Sequence, residues 1–249
     1  MSRKLVLFVF IMLAPMAVLA DALRVGMSVD YPPLAYKQEG RVVGIEADNA
    51  LAVAKLLGRE LKILELPFEG LIAALQDGQI DIIMSGMSIT AQRSEQVVFA
   101  EPFLDIGQMA ITLTRKAGRF AKPWAIYQDD VRVGVEPGTT GAAFAEEELP
   151  NAQIVHYAKP DEAFNGLRKD EVDVYIHDAP TSWQLARQDG NRDLISLYHP
   201  LTSEQLAWAV SQKKAALIVD INRALAKLKS NGTLGYILNR WIPVRVEVK

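Results

Sequence analysis

The sequence predicts an α/β protein of two similar lobes, each a mostly parallel sheet flanked by helices. Three observations carry this. From Leu23 onward the apolar pattern alternates between strand and helix. Strands such as "IDIIMSG" are continuous apolar runs, as in parallel sheets covered on both faces. The second half repeats the phrasing of the first, with "AFNGLRKDEVDVYIHD" echoing "IAALQDGQIDIIMSG" and Asp173 in the place of Asp81.

The elements follow in order. "LRVGMSV" reads as a buried strand, "ADNALAVAKLLG" as a helix closed by Gly58, and "LKILEL" as the next strand. "FEGLIAALQDG" has apolar residues at helical spacing and stops at Gly78, before the strand "IDIIMSG". "VRVGVEPGTTG" echoes the first strand and its loop, and "AAFAEEEL" is a helix with a solvated acidic face. In "ALIVDINRALAKLKSNG", Leu217, Ile221, Leu225 and Leu228 form one stripe for the core, with Asn231-Gly232 as the stop and Pro243 closing a further short helix.

Composition narrows the functions. The chain has 249 residues, a net charge of −3, half its residues apolar and no cysteine. That is length enough for a large core in one or two domains. No basic footprint points to nucleic acid. Arg3 and Lys4 precede the apolar run "LVLFVFIMLAPMAVLA", which has small residues at its exit, so residues 1–20 are expected to be a secretory signal peptide, cleaved after Ala20 or Ala22. Pro15 breaks the run too early for an anchor helix. Without a cysteine there is no lipid attachment point, and the mature protein is expected free in the periplasm.

Candidate site residues stand where the predicted strands end. In "SGMSITAQRSEQ" a strand ends at small residues and a helix starts near Thr90, so Arg93 falls in the first turn. A cation there costs about 0.3–1 kcal/mol unless an anion joins it, and a ligand carboxylate is the natural anion. A surface pair with Glu95 or Glu101 is the alternative. In "GTTG", small residues let backbone N–H groups approach an anion, although Thr139 or Thr140 would equally serve as an ordinary helix cap. Asp178 closes "VDVYIHD"; a poorly solvated aspartate there needs a partner, either a ligand ammonium or the N-terminus of the helix that follows. His156, His177 and His199 are dispersed, and no metal or cofactor is expected.

Taken together, "GIEADNALAVAKLLG", "IDIIMSGMSITAQRSEQVVFAEPF", "VGVEPGTTG" and "VDVYIHDAP" resemble the family 3 bacterial extracellular solute-binding proteins across nearly all of the mature chain. The resemblance implies the type II periplasmic binding fold, two lobes joined by two crossings and closing over a ligand. The crossings fall near "ITLTRK" and "QLAWAVSQK", which puts residues 21–111 and 208–249 in lobe one and 112–207 in lobe two. It further implies that Arg93, with the backbone and hydroxyl of Ser88, holds an α-carboxylate, that Thr140 donates to it from the other lobe, and that Asp178 and the Gly86 carbonyl receive the amine. Tyr31 and Phe68 match aromatics that cover the ligand, although either also suits loop packing. Ser28 stands where relatives that bind basic amino acids often carry an acid. That points away from a cationic side chain, while Asp30 nearby offers a carboxylate.

The function so implied is a monomeric periplasmic protein that captures a small α-amino acid or similar zwitterion and delivers it to an ABC transporter permease in the inner membrane. Two alternatives share the scaffold. One is a cyclohexadienyl dehydratase, which needs a general acid shortly after Asp178, where Ala179-Pro180-Thr181-Ser182 supply none and only His177 could stand in. The other is a binding protein that reports its ligand to a membrane receptor.

Overall fold

The structure is a computed structural model that describes residues 21–186, 189–197 and 199–242. The expected leader at 1–20 and the tail from Pro243 lie outside the described residues.

The chain opens with β1 (Leu23–Met27), a small antiparallel meander of β2 (Asp30–Tyr31), β3 (Ala35–Gln38) and β4 (Arg41–Val43), then α1 (Ile45–Leu56) and β5 (Leu61–Glu65). A short 3-10 turn leads into α2 (Leu71–Gln76), followed by β6 (Ile82–Ile83), the single-turn α3 (Ala91–Ser94) and β7 (Val97–Phe99). The chain then leaves this lobe through β8 (Leu104–Ile106) and enters the second sheet as β9 (Gln108–Leu113). The second lobe continues with β10 (Arg132–Val135), α4 (Thr140–Glu148), β11 (Gln153–His156), α5 (Pro160–Arg168), β12 (Val174–Asp178), α6 (Ala179–Ala186) and β13 (Leu194–Ser196). It returns through β14 (Glu204–Leu206) to β15 (Ala209–Ser211), and α7 (Leu217–Ser230) and α8 (Thr233–Trp241) complete the described residues.

The two five-stranded sheets have the same plan, β5-β1-β6-β15-β7 and β11-β10-β12-β9-β13. In each, the strand arriving from the other lobe, β15 or β9, is antiparallel to both of its neighbours, so four strands share one direction. β8 and β14 pair antiparallel and form the crossing. The first crossing therefore falls at 104–107, ahead of the expected "ITLTRK". Residues 108–111, assigned to lobe one from the sequence, pair with β12 in the second sheet. The reason is burial: all six residues of β9 are buried, and the apolar run "QMAITL" already belongs to the second core.

Packing follows the periodicities. Ile82 and Ile83 are fully buried, as a strand covered on both faces requires. Ile221, Leu225 and Leu228 seat α7 on the first core with Leu217 packed at its edge. Internal repetition extends to charge. Asp81 accepts from the backbone N–H and guanidinium of Arg24 and from Lys214, while Asp173 does the same with Arg132 and Lys116. Each cluster ties a parallel strand, β1 or β10, to the segment just after an inter-lobe strand, since Lys116 follows β9 and Lys214 follows β15. Burial opposes the charge on these aspartates, but the hydrogen bonds outweigh it and hold both well below the usual carboxylate range.

Candidate ligand-binding cleft

The parallel strands β1, β6, β10 and β12 end toward a cleft between the lobes. Ser88, Arg93, Gly86, Tyr31 and Phe68 line it from one lobe, and Thr139, Thr140 and Asp178 from the other. Every residue singled out in the sequence as a site candidate is thus brought together here.

Arg93 is 7% exposed, at the third position of α3, where the Thr90 side chain caps its backbone N–H. Its guanidinium donates to the Ser88 carbonyl at 2.8 Å and, across the cleft, to the Gly138 carbonyl at 2.9 Å. It rests over the Phe68 ring at 5.5 Å. Among the described residues no carboxylate lies within 4.0 Å of it, so the surface pair with Glu95 or Glu101 is not formed. Burial lowers its pKa, and the charge of Glu204 opposes that. It remains a charged group out of water whose partners are neutral carbonyls, a costly state that an incoming anion relieves.

Asp178 ends β12, 6% exposed, and its carboxyl accepts a short hydrogen bond from the Gln108 amide. Burial, with the Glu204 charge adding to it, raises its pKa well above the usual range. No capping bond from this side chain to α6 occurs among the described hydrogen bonds, and a cation in the cleft would restore its charge. Thr139 takes the capping role at α4, its hydroxyl accepting from Ala142 at 3.1 Å, which frees Thr140 to face the cleft.

Gly86 holds φ +64°, and a Cβ there would sit 2.8 Å from the Tyr31 ring. Its N–H donates at 2.8 Å to Glu46, which also accepts from the Trp208 indole at 2.9 Å. The acidic residue of "GIEADN" therefore fixes the loop that lines the cleft, from a fully buried position. Burial pushes Glu46 up to about 7, against those hydrogen bonds. Tyr31 makes an edge contact with His177 of the opposite lobe at 5.0 Å.

The sequence reading missed three residues. Glu204, on the crossing strand β14, accepts from Ser88 at 2.5 Å and Thr140 at 2.7 Å, so both hydroxyls expected for a ligand carboxylate are engaged by the protein's own carboxylate. Backbone N–H groups and Arg93 are what remain for an entering anion. Gln108 bridges Thr140 and Asp178; its signal was a polar residue opening an apolar strand. Glu136 follows β10 directly, and this strand-end position was the available clue. His177 is buried yet faces the cleft, and burial pushes its pKa down to about 3, leaving it neutral.

Such a cleft can hold a small molecule carrying both signs. Known proteins agree with that kind of role. The chain is 29% identical over 220 residues to the arginine-binding periplasmic protein of Mannheimia haemolytica, covering 87% of this chain and 89% of that one. The cyclohexadienyl dehydratase of Pseudomonas aeruginosa is 33% identical over 161 residues, 64% of this chain and 60% of the enzyme. The crystal structure of an ancestral amino acid-binding protein, a precursor of cyclohexadienyl dehydratase, superposes with a TM-score of 0.83 at 31% identity, over 89% of this chain and 95% of that one. The sequence pattern of one family matches residues 23–244, and the chain belongs to that family, the bacterial extracellular solute-binding proteins, family 3.

Proposed function

We propose that this protein captures an α-amino acid in the interlobe cleft and delivers it to the permease of an ABC importer in the inner membrane. It works in the periplasm, as a monomer, after loss of residues 1–20. One observation carries the reading: a buried guanidinium on one lobe and a buried carboxyl on the other, neither in an ion pair among the described residues, line the same cleft. The ligand carboxylate lies on Arg93 and the N–H groups near Ser88 and Thr140; the ammonium lies on Asp178. Because the two halves of the grip belong to different lobes, ligand binding favours the closed form. The arginine-binding relative supports this ligand class.

Binding without covalent chemistry fits the cleft better than dehydration. His177, the stand-in acid, is a neutral imidazole at neutral pH, and its remaining N–H is too weak an acid to protonate a leaving hydroxyl. Incubation with arogenate and prephenate is expected to yield neither phenylalanine nor phenylpyruvate; turnover would overturn this part of the reading. For binding itself, Arg93→Ala is expected to weaken the amino acid by about 2–5 kcal/mol in calorimetric titration, since a desolvated carboxylate is left unpaired. An unchanged dissociation constant removes Arg93 from the site.

A further inference from the structure

One end of the cleft is acidic. Asp30 and Glu136 line both the inner cleft and a wider outer space that adjoins it, and Glu69 lines the outer part. We propose that this end receives a cationic side chain, so that the ligand is a basic amino acid with an ammonium or guanidinium on a flexible stem. The inference rests on the amino-acid reading above, which places the α-carboxylate and α-ammonium at Arg93 and Asp178 of the same cleft.

Among the described residues no lysine or arginine pairs with these acids within 4.0 Å. Asp30 accepts from the Ser28 hydroxyl at 2.7 Å, so the neutral residue that argued against a cation serves to orient a carboxylate two positions on. Among the described residues the nearest cationic-type group to Glu136 is His177 Nε2, at 4.0 Å. That ring is neutral: its Nδ1 accepts from the Asp178 N–H, which leaves the ring proton on Nε2, the side toward Glu136. Lys159 shares the wall of the outer space but pairs with none of the three acids within 4.0 Å. The Tyr175 hydroxyl is fully buried, lacks a hydrogen-bond partner, and is shifted upward by burial and by the charges of Glu136 and Asp30.

A metal ion is the competing occupant, but no group of these residues among those described is arranged to hold one. The walls suit an organic cation instead, because Tyr31 lines the inner cleft and Phe68 lines both spaces. Glu136 reports the occupancy. Burial, then the charges of Asp30 and Glu69, push it up to about 8, so in the empty cleft at neutral pH it holds a proton. A cation beside it favours the charged form, and binding releases that proton.

The test uses the protein stripped of carried-over ligand by unfolding and refolding, titrated calorimetrically with arginine, lysine, citrulline and glutamine. Arginine is expected to exceed citrulline, its uncharged near-isostere, by about a hundredfold. Repeating the titration at pH 7 in buffers of different ionisation enthalpy should show about one more proton released per arginine than per glutamine, because the proton that Asp178 gives up to the α-ammonium is common to both. Glu136→Gln should remove the extra proton released with arginine and most of the arginine preference, with an unchanged circular-dichroism spectrum showing that the variant is folded. Equal binding of arginine and citrulline overturns the cationic end and leaves the amino-acid reading standing. Failure of all four to bind overturns the reading on which it rests. Arginine preference untouched by Glu136→Gln and by Asp30→Asn removes these residues from the role.

Discussion

At the scale of single residues, the cleft is assembled from charges that the protein does not pair with one another. Arg93 and Asp178 were legible because each broke a local rule: a cation in a helical first turn, and an aspartate closing a buried strand. Gln108 and Glu136 left only weaker signals, a polar residue opening an apolar strand and an acid just past a strand end, and Glu204 left none, because a carboxylate in a short strand violates no rule until the fold brings it to the cleft. The Asp178→Asn substitution separates the amine from the rest of the ligand. It should weaken an amino acid by at least about tenfold while leaving the matching deaminated acid nearly unchanged, measured by calorimetry. Equal losses for both would detach Asp178 from the ammonium.

The elements explain why these residues meet. Strands β1, β6, β10 and β12 deliver their C-terminal ends to the same face, and the helices that follow leave from there. Apolar runs and Gly stops were enough to read these strands and helices. The first crossing was misplaced because "QMAITL" has the same apolar character on either side of the boundary, and only pairing with β12 decides which sheet it joins. The repeat of Asp81 in Asp173 was visible as a phrase, but its meaning as a clamp on Arg24 and Arg132 needed the pairing of β1 with β6 and of β10 with β12. Arg132→Ala should lower unfolding stability by about 1–3 kcal/mol in denaturant titration, since a buried aspartate loses its main donor while Lys116 remains. No loss would mean that Lys116 and Arg119 hold Asp173 unaided.

For the molecule as a whole, pH acts through groups buried near the cleft. Glu46 and Glu136 have raised folded-state values of about 7 and about 8, so the folded protein keeps protons that the unfolded chain releases. Their contribution to stability is full below the ordinary glutamate range and is lost as pH rises through those values. His177 works the other way, but only below its ordinary value near 6.5. The thermal midpoint of the ligand-free protein should therefore fall between about pH 6.5 and 8, and Glu136→Gln should flatten the decline. A midpoint that rises across this window contradicts the assignment. The two lobes touch through Arg93 with Gly138, through Glu204 with Ser88 and Thr140, and through Tyr31 with His177.

These contacts leave the decisive question at the cleft itself: whether one molecule satisfies a cation and a carboxyl on opposite lobes at once. The most direct measurement titrates the refolded protein with one amino acid, its decarboxylated amine and its deaminated acid. The amino acid should bind at least about a hundredfold more tightly than either half-molecule, because each half leaves one buried polar group, Arg93 or Asp178, without its partner. If the amine or the acid binds as tightly as the amino acid, Arg93 and Asp178 do not grip a zwitterion between them.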